Sequence, residues 1–193
     1  LADDATVKKD VTLILDVSGS LTPTDLANVK TSANDFVADL LPITDTLRIY
    51  EFASRSETRL VGRYAASGAA GSFAWTPPPN PDLDAIDGGS NSTALFHAVR
   101  TAILEDPEGD DIIVLFSDGR ENSSPEGARE EALDLIRDKK TVVFSVGFGS
   151  VDSDEMRALS SPFGRFLGVR PSLVGLFDEV AREISSVYTL VYD

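Results

Sequence analysis

Short apolar runs alternate with amphipathic stretches along this chain, the pattern of a parallel sheet covered by helices. Residues 11–17 (VTLILDV) form a near-continuous apolar run, as a strand buried on both faces requires. From Pro23 to Leu41 the apolar positions Leu26, Val29, Ala33, Phe36, Val37, Leu40 and Leu41 recur at helical spacing. Thr22 and Pro23 supply that helix with a cap and a first turn. LRIYEF at 47–52 predicts a second strand. Glu57–Val61 predicts a third, antiparallel to it across the short turn Ala53–Ser56. The stretch Tyr64–Asn91 breaks the rhythm, because it is rich in glycine and alanine and Pro77, Pro78, Pro79 and Pro81 block regular structure. It predicts a long functional or mobile loop with one short helical turn.

The alternation resumes with a helix over Ser92–Glu105, whose Leu95, Val99, Ala102 and Ile103 face inward. A fourth strand follows at 111–116 (DIIVLF), then a helix from Ser124 to Lys139 and a strand at Thr141–Val146. Ser153–Leu159 predicts a short helix and Phe166–Val169 an edge strand. Pro171–Ser186 predicts a closing helix, and Val187–Tyr192 a strand leaving the domain. No repeat or internal boundary interrupts the series. The expectation is one doubly wound α/β domain over residues 1–193, excised from a longer protein.

Composition narrows the functions open to such a domain. With 42% hydrophobic residues in 193, the chain can bury a substantial core. Its 32 acidic residues against 17 basic ones give a formal charge of −15. That balance argues against nucleic-acid binding and against docking on anionic lipid, and it favours a soluble monomer. The chain has no cysteine, which excludes disulfides, thiolate nucleophiles and sulfur-ligated metals. A single histidine, His97, disfavours zinc. No apolar run approaches the ~20 residues of a membrane span, and Leu1–Asp10 does not read as a signal peptide.

Two strand ends carry the candidate chemistry. The first strand ends in Asp16-Val17-Ser18-Gly19-Ser20 and the fourth in Ser117-Asp118-Gly119. In open α/β sheets ligands bind beyond the carboxyl ends of the strands, where connections diverge to opposite faces. If these strands are neighbours, both loops flank that point, and the start of the Ser92–Glu105 helix reaches it with Thr93. Asp16, Ser18 and Ser20 offer alternate oxygens from one turn, and Gly19 lets the backbone bend. Thr93 adds a hydroxyl and Asp118 a second carboxylate. Oxygen donors alone suit magnesium, calcium or manganese. The set fills only part of an octahedron, so a coordination position remains for water or an acidic residue of a partner.

These segments resemble the von Willebrand factor type A domains, including the inserted domains of integrins. Asp16-Val17-Ser18-Gly19-Ser20 fits that family's Asp-x-Ser-x-Ser motif. Gly88-Gly89 with Ser92-Thr93-Ala94-Leu95-Phe96 is similar to its Gly-Gly-Thr-Ala-Leu-Tyr segment, Phe116-Ser117-Asp118-Gly119 to its Thr-Asp-Gly, and Ser145–Gly149 to its late strand. The resemblance implies a six-stranded sheet in the order 3-2-1-4-5-6, with the third strand antiparallel and helices on both faces. It also implies a metal-ion-dependent adhesion site in which Asp16, Ser18, Ser20, Thr93 and Asp118 bind magnesium, directly or through water. The partner would be a protein presenting an Asp or Glu, and in integrins the last helix shifts with ligation. Ser90 and Ser92 are hydroxyls neighbouring Thr93 that could substitute for it.

Other readings fare worse on the residues. An EF-hand loop needs glycine and glutamate where Leu21 and Ala27 stand. No phosphate-binding Gly-Lys-Ser/Thr occurs, and Gly147-Phe148-Gly149 lacks the third glycine of a dinucleotide fingerprint. An enzyme with metal-activated water would need a base, for which Glu121 is nearest in sequence, and His97 reads as an ordinary half-exposed helical residue. The expectation is therefore a binding module and no enzyme, extracellular or at a cell surface. A subunit of a cytoplasmic ATPase or chelatase assembly is the alternative. Trp75 and Tyr64 either anchor a partner or cover the core. A sugar on the acceptor tripeptide Asn91-Ser92-Thr93 would sit almost on the metal, so the expected source is bacterial.

Overall fold

A computed structural model describes residues 10–40, 46–65, 81–106, 112–117, 120–149, 151–160, 163–170, 179–180 and 182–184. Six strands pair in the order β3-β2-β1-β4-β5-β6. They are β1 (Asp10–Asp16), β2 (Thr46–Phe52), β3 (Arg59–Ala65), β4 (Ile112–Ser117), β5 (Val142–Phe148) and β6 (Arg165–Arg170). Only β3 runs antiparallel to its neighbour, so the order and the direction expected from the sequence both hold.

Alternation along the strands feeds two apolar layers. Val11, Leu13 and Leu15 of β1 pack with Val29, Ala33, Phe36 and Val37 of α1 (Pro23–Leu40), together with Val180 and Ile184 near the C-terminus. Ile14 faces the opposite layer, where α3 (Leu95–Leu104), α4 (Ala128–Lys139) and α5 (Ser153–Ser160) pack. With strands on both sides and helices on both faces, β1 is apolar for the reason its sequence suggests.

Caps set where the helices begin. The Thr22 hydroxyl accepts from the Asp25 amide at 3.2 Å, and the Asp25 carboxylate accepts from the Thr22 amide at 3.1 Å. The Thr22 side chain holds the Asp25 carboxyl below its ordinary range. This box opens α1 two residues after Ser20 and so fixes how the chain leaves the first loop.

Three boundaries differ from the sequence reading. The third strand starts at Arg59 and runs to Ala65, because Arg55–Glu57 is wound into a 3-10 turn and β3 pairs with β2 from Thr46 to Glu51. Helix α3 starts at Leu95, because the main chain of Thr93 and Ala94 bonds other loops. Helix α4 starts at Ala128 after Gly127, whose φ of +81° belongs to a turn rather than a helix. Tyr64 is buried in the core. The expected helical turn is α2 (Pro81–Asp84), while Trp75 and the rest of 66–80 lie outside the described residues. Of the expected closing helix, 179–180 and 182–184 are helical, and the expected strand Val187–Tyr192 lies outside the described residues.

Leu13 is fully buried in the central strand. Leu13→Ala is expected to cost about 2–5 kcal/mol, read as a lower urea midpoint at unchanged slope. A cost below about 1 kcal/mol would contradict this packing.

Candidate metal centre

The carboxyl ends of β1 and β4 lie side by side, since Leu15 pairs with Phe116 in the parallel register. Period-two alternation puts Asp16 on the face of Ile14 and Ser117 on the face of Leu115, both toward the α3 layer. There the Ser117 hydroxyl donates to Asp16 Oδ2 at 2.5 Å, and the Ser18 amide donates to Asp16 Oδ1 at 3.0 Å. Both carboxylate oxygens are thus oriented. Asp16 is 1% exposed and Ser18 2%. Ser20 is exposed at the mouth, with its Oγ 3.3 Å from that of Ser18.

A second segment is stitched to this turn through its main chain. The Gly89 amide donates to Val17 O at 2.7 Å, and the Gly19 amide donates to Ser90 O at 2.8 Å. Close approach demands glycine at Gly89, while a side chain at Gly19 would have to displace Asn91. A Cβ on Gly89 would fall 2.3 Å from that of Ala53, and one on Gly19 would fall 2.2 Å from Asn91 Oδ1. The same strand of chain continues into Ala94, whose amide donates to Ala53 O at 2.7 Å.

Thr93 follows from these ties and is 3% exposed. Its amide donates to Asn122 Oδ1 at 2.9 Å, and its carbonyl accepts from the amides of Asn122 and Ser123. The neighbouring Ser90 is exposed, and its hydroxyl donates to Glu57 Oε2 at 2.5 Å, away from a ligand role. The loop after β4 is described from Arg120 onward, so Asp118 lies outside the described residues. The structure therefore brings Asp16, Ser18 and Ser20 into one turn and ties the Thr93 segment to that turn.

The roles of several residues that shape this centre escaped the sequence reading. Ser117 was named there only as part of the Ser117-Asp118-Gly119 strand end, and its role as donor to Asp16 follows from alternation and strand adjacency. The roles of Glu57 and Asn122 do not follow in that way, because each acts on a segment more than twenty residues away through contacts that no local pattern encodes. Glu121, the nearest candidate base, accepts from the amides of Phe96, Ser123 and Ser124 and from the Ser124 hydroxyl, so it builds loop and helix start. His97 lies half-buried on α3, and burial, then Arg100 and Arg55, hold its imidazole below the ordinary value.

The donors present fit a hard dication. They are a buried, oriented carboxylate and adjacent hydroxyls, with neither imidazole nor sulfur in the turn. Among the described residues no three carboxylates, imidazoles or thiolates group as a metal site would require.

A family model, the von Willebrand factor type A domain, matches residues 80–170. That stretch begins at α2, includes Gly88-Gly89, Thr93 and Asp118, and ends with β6. Over that stretch the chain is similar to the von Willebrand factor type A domain. Solved structures extend the likeness of fold over the first motif as well. One is proximal thread matrix protein 1 from the mussel byssus, solved with a zinc-occupied MIDAS motif. It is 16% identical with a TM-score of 0.69, over 94% of this chain and 46% of that one. A von Willebrand factor type A protein from Catenulispora acidiphila is 15% identical with a TM-score of 0.68, over 92% and 42%. The pilus adhesin SpaC from Lactobacillus rhamnosus GG is 13% identical with a TM-score of 0.67, over 92% and 30%. The chain thus spans less than half the length of each of these three. No curated protein matches the sequence.

Hydrogen bonds from the Ser54 and Ser90 side chains lower the Glu57 carboxyl to about 2 from 4.5. A depressed folded-state value means the contribution is complete above about pH 4.5 and is lost as pH falls toward 2. A carboxyl-carbon NMR titration of Glu57 is expected to show its midpoint near 2, whereas a midpoint near 4.5 would contradict the bonding described.

Proposed function

We propose that this domain is a divalent-metal-dependent protein-binding module. Asp16, Ser18, Ser20, Thr93 and Asp118 hold magnesium, with calcium and manganese as the other ions of matching chemistry. The observation that carries the reading is the Asp16 turn itself. A buried carboxylate is steered by Ser117 and by the Ser18 amide toward a mouth where the Ser18 and Ser20 hydroxyls stand together. The type A family match and the zinc-occupied MIDAS motif of the mussel protein support metal binding at this place.

The metal's share is charge and an open coordination position. Asp16 and Asp118 together only neutralise a dication, which leaves a site able to accept an acidic residue from a partner protein. The formal −15 of the chain does not forbid that encounter. Exposed charges beyond the ~8 Å Debye length at physiological salt are largely screened. The likeness in fold to a byssus matrix protein and a pilus adhesin supports an adhesive role outside the cell or at its surface. Among the described residues no helix is long and apolar enough to cross a membrane. Hydrolysis is disfavoured by Glu121, whose carboxylate is taken up by four hydrogen bonds of its own loop and of α3.

Calorimetric titration with magnesium tests the assignment. Asp16→Ala and Asp118→Ala are each expected to lose measurable binding while circular dichroism and the unfolding transition of the metal-free domain persist. Unchanged binding in both variants would sink it.

A further inference from the structure

We propose that Glu57, which lies outside the set of metal-binding residues, positions the Asp16–Ser20 turn for metal by anchoring Ser90. This inference rests on the metal-binding reading above and adds a residue to it.

The geometry is a relay of three loops. Glu57 closes the β2–β3 turn on itself: its Oε2 accepts from the Ser54 amide at 3.0 Å and the Ser54 hydroxyl at 2.5 Å. The same carboxylate reaches the segment before α3, where Oε1 accepts from the Ser90 amide at 3.1 Å and Oε2 from the Ser90 hydroxyl at 2.5 Å. Ser90 then accepts, through its carbonyl, the amide of Gly19 at 2.8 Å. Gly19 stands between Ser18 and Ser20, so this bond fixes the backbone that aims both hydroxyls. The Gly89 amide on Val17 O secures the other side of the turn. Bonds to an ionised acceptor are about twice as strong as neutral ones, so the carboxylate is the strongest link in a chain of otherwise neutral contacts.

Glu57→Gln tests the chemistry with little change of shape, because the amide keeps one acceptor oxygen and presents an NH2 where serine donors now converge. Loss of an outer-shell partner typically weakens a metal site about 10- to 100-fold. We expect that loss of magnesium affinity in Glu57→Gln, with the thermal transition of the metal-free protein little changed. Ser90→Ala should weaken binding too, and the double variant should bind no worse than Glu57→Gln alone, because both act through one bond network. Wild-type affinity in Glu57→Gln, or losses that multiply in the double variant, would overturn the proposal.

Amide hydrogen exchange in metal-free protein separates this inference from the metal reading. Faster exchange at Gly19 in Glu57→Gln than in wild type is the expected result, whatever the magnesium titration shows. Unchanged exchange at Gly19 would overturn the relay even if magnesium binds. Failure of the wild-type domain to bind any divalent ion would instead overturn the metal reading, and the metal role of Glu57 with it.

Discussion

A carboxylate buried at the end of the central strand is the constraint around which this domain is arranged. Asp16 is 1% exposed and closes a strand whose side chains from Val11 to Leu15 are all buried. Keeping such a group ionised is costly unless hydrogen bonds and opposite charge replace water. Ser117 and the Ser18 amide provide two of those bonds. In the proposed reading a dication supplies the opposite charge. The helical layers follow from the same strand, whose alternating residues feed one apolar cluster on each face.

The loops above the sheet are joined to one another by main-chain bonds rather than left to independent motion. Val17, Gly19, Gly89, Ser90 and Ala53 form a woven patch in which Gly89 allows backbone contact that any side chain would block. On the far side Asn122 and Glu121 brace Thr93 and the start of α3. Main-chain ties of this kind hold the Asp16–Ser20 turn and the Thr93 segment in fixed register with each other.

Much of this was legible in the sequence, for physical reasons that differ by element. The strands announced themselves because burial on both faces leaves no polar alternation to confuse with a helix, as in 11–17. The Asp-x-Ser-x-Ser turn was legible because its chemistry is local. Helix starts were less so: α3 was read from Ser92, yet its first turn waits until Leu95 because Thr93 bonds a loop near residue 122. The β2–β3 turn was misplaced because Glu57 looked like strand but winds into a turn closed locally by Ser54 and tied to Ser90. A distant partner decides the start of α3, which no local window contains, whereas the Ser54–Glu57 capping box is a local pattern that the strand reading passed over.

What the domain would do with its site follows from coordination chemistry: hard oxygens bind a hard ion, and an unfilled position accepts a further oxygen from a partner. The most direct measurement is a crystal structure of the domain grown with manganese, located by its anomalous scattering. The account predicts one strong peak at the mouth of the Asp16 turn, within coordinating distance of the Ser18 and Ser20 hydroxyls. A manganese peak held elsewhere, with that turn lacking one, would contradict it.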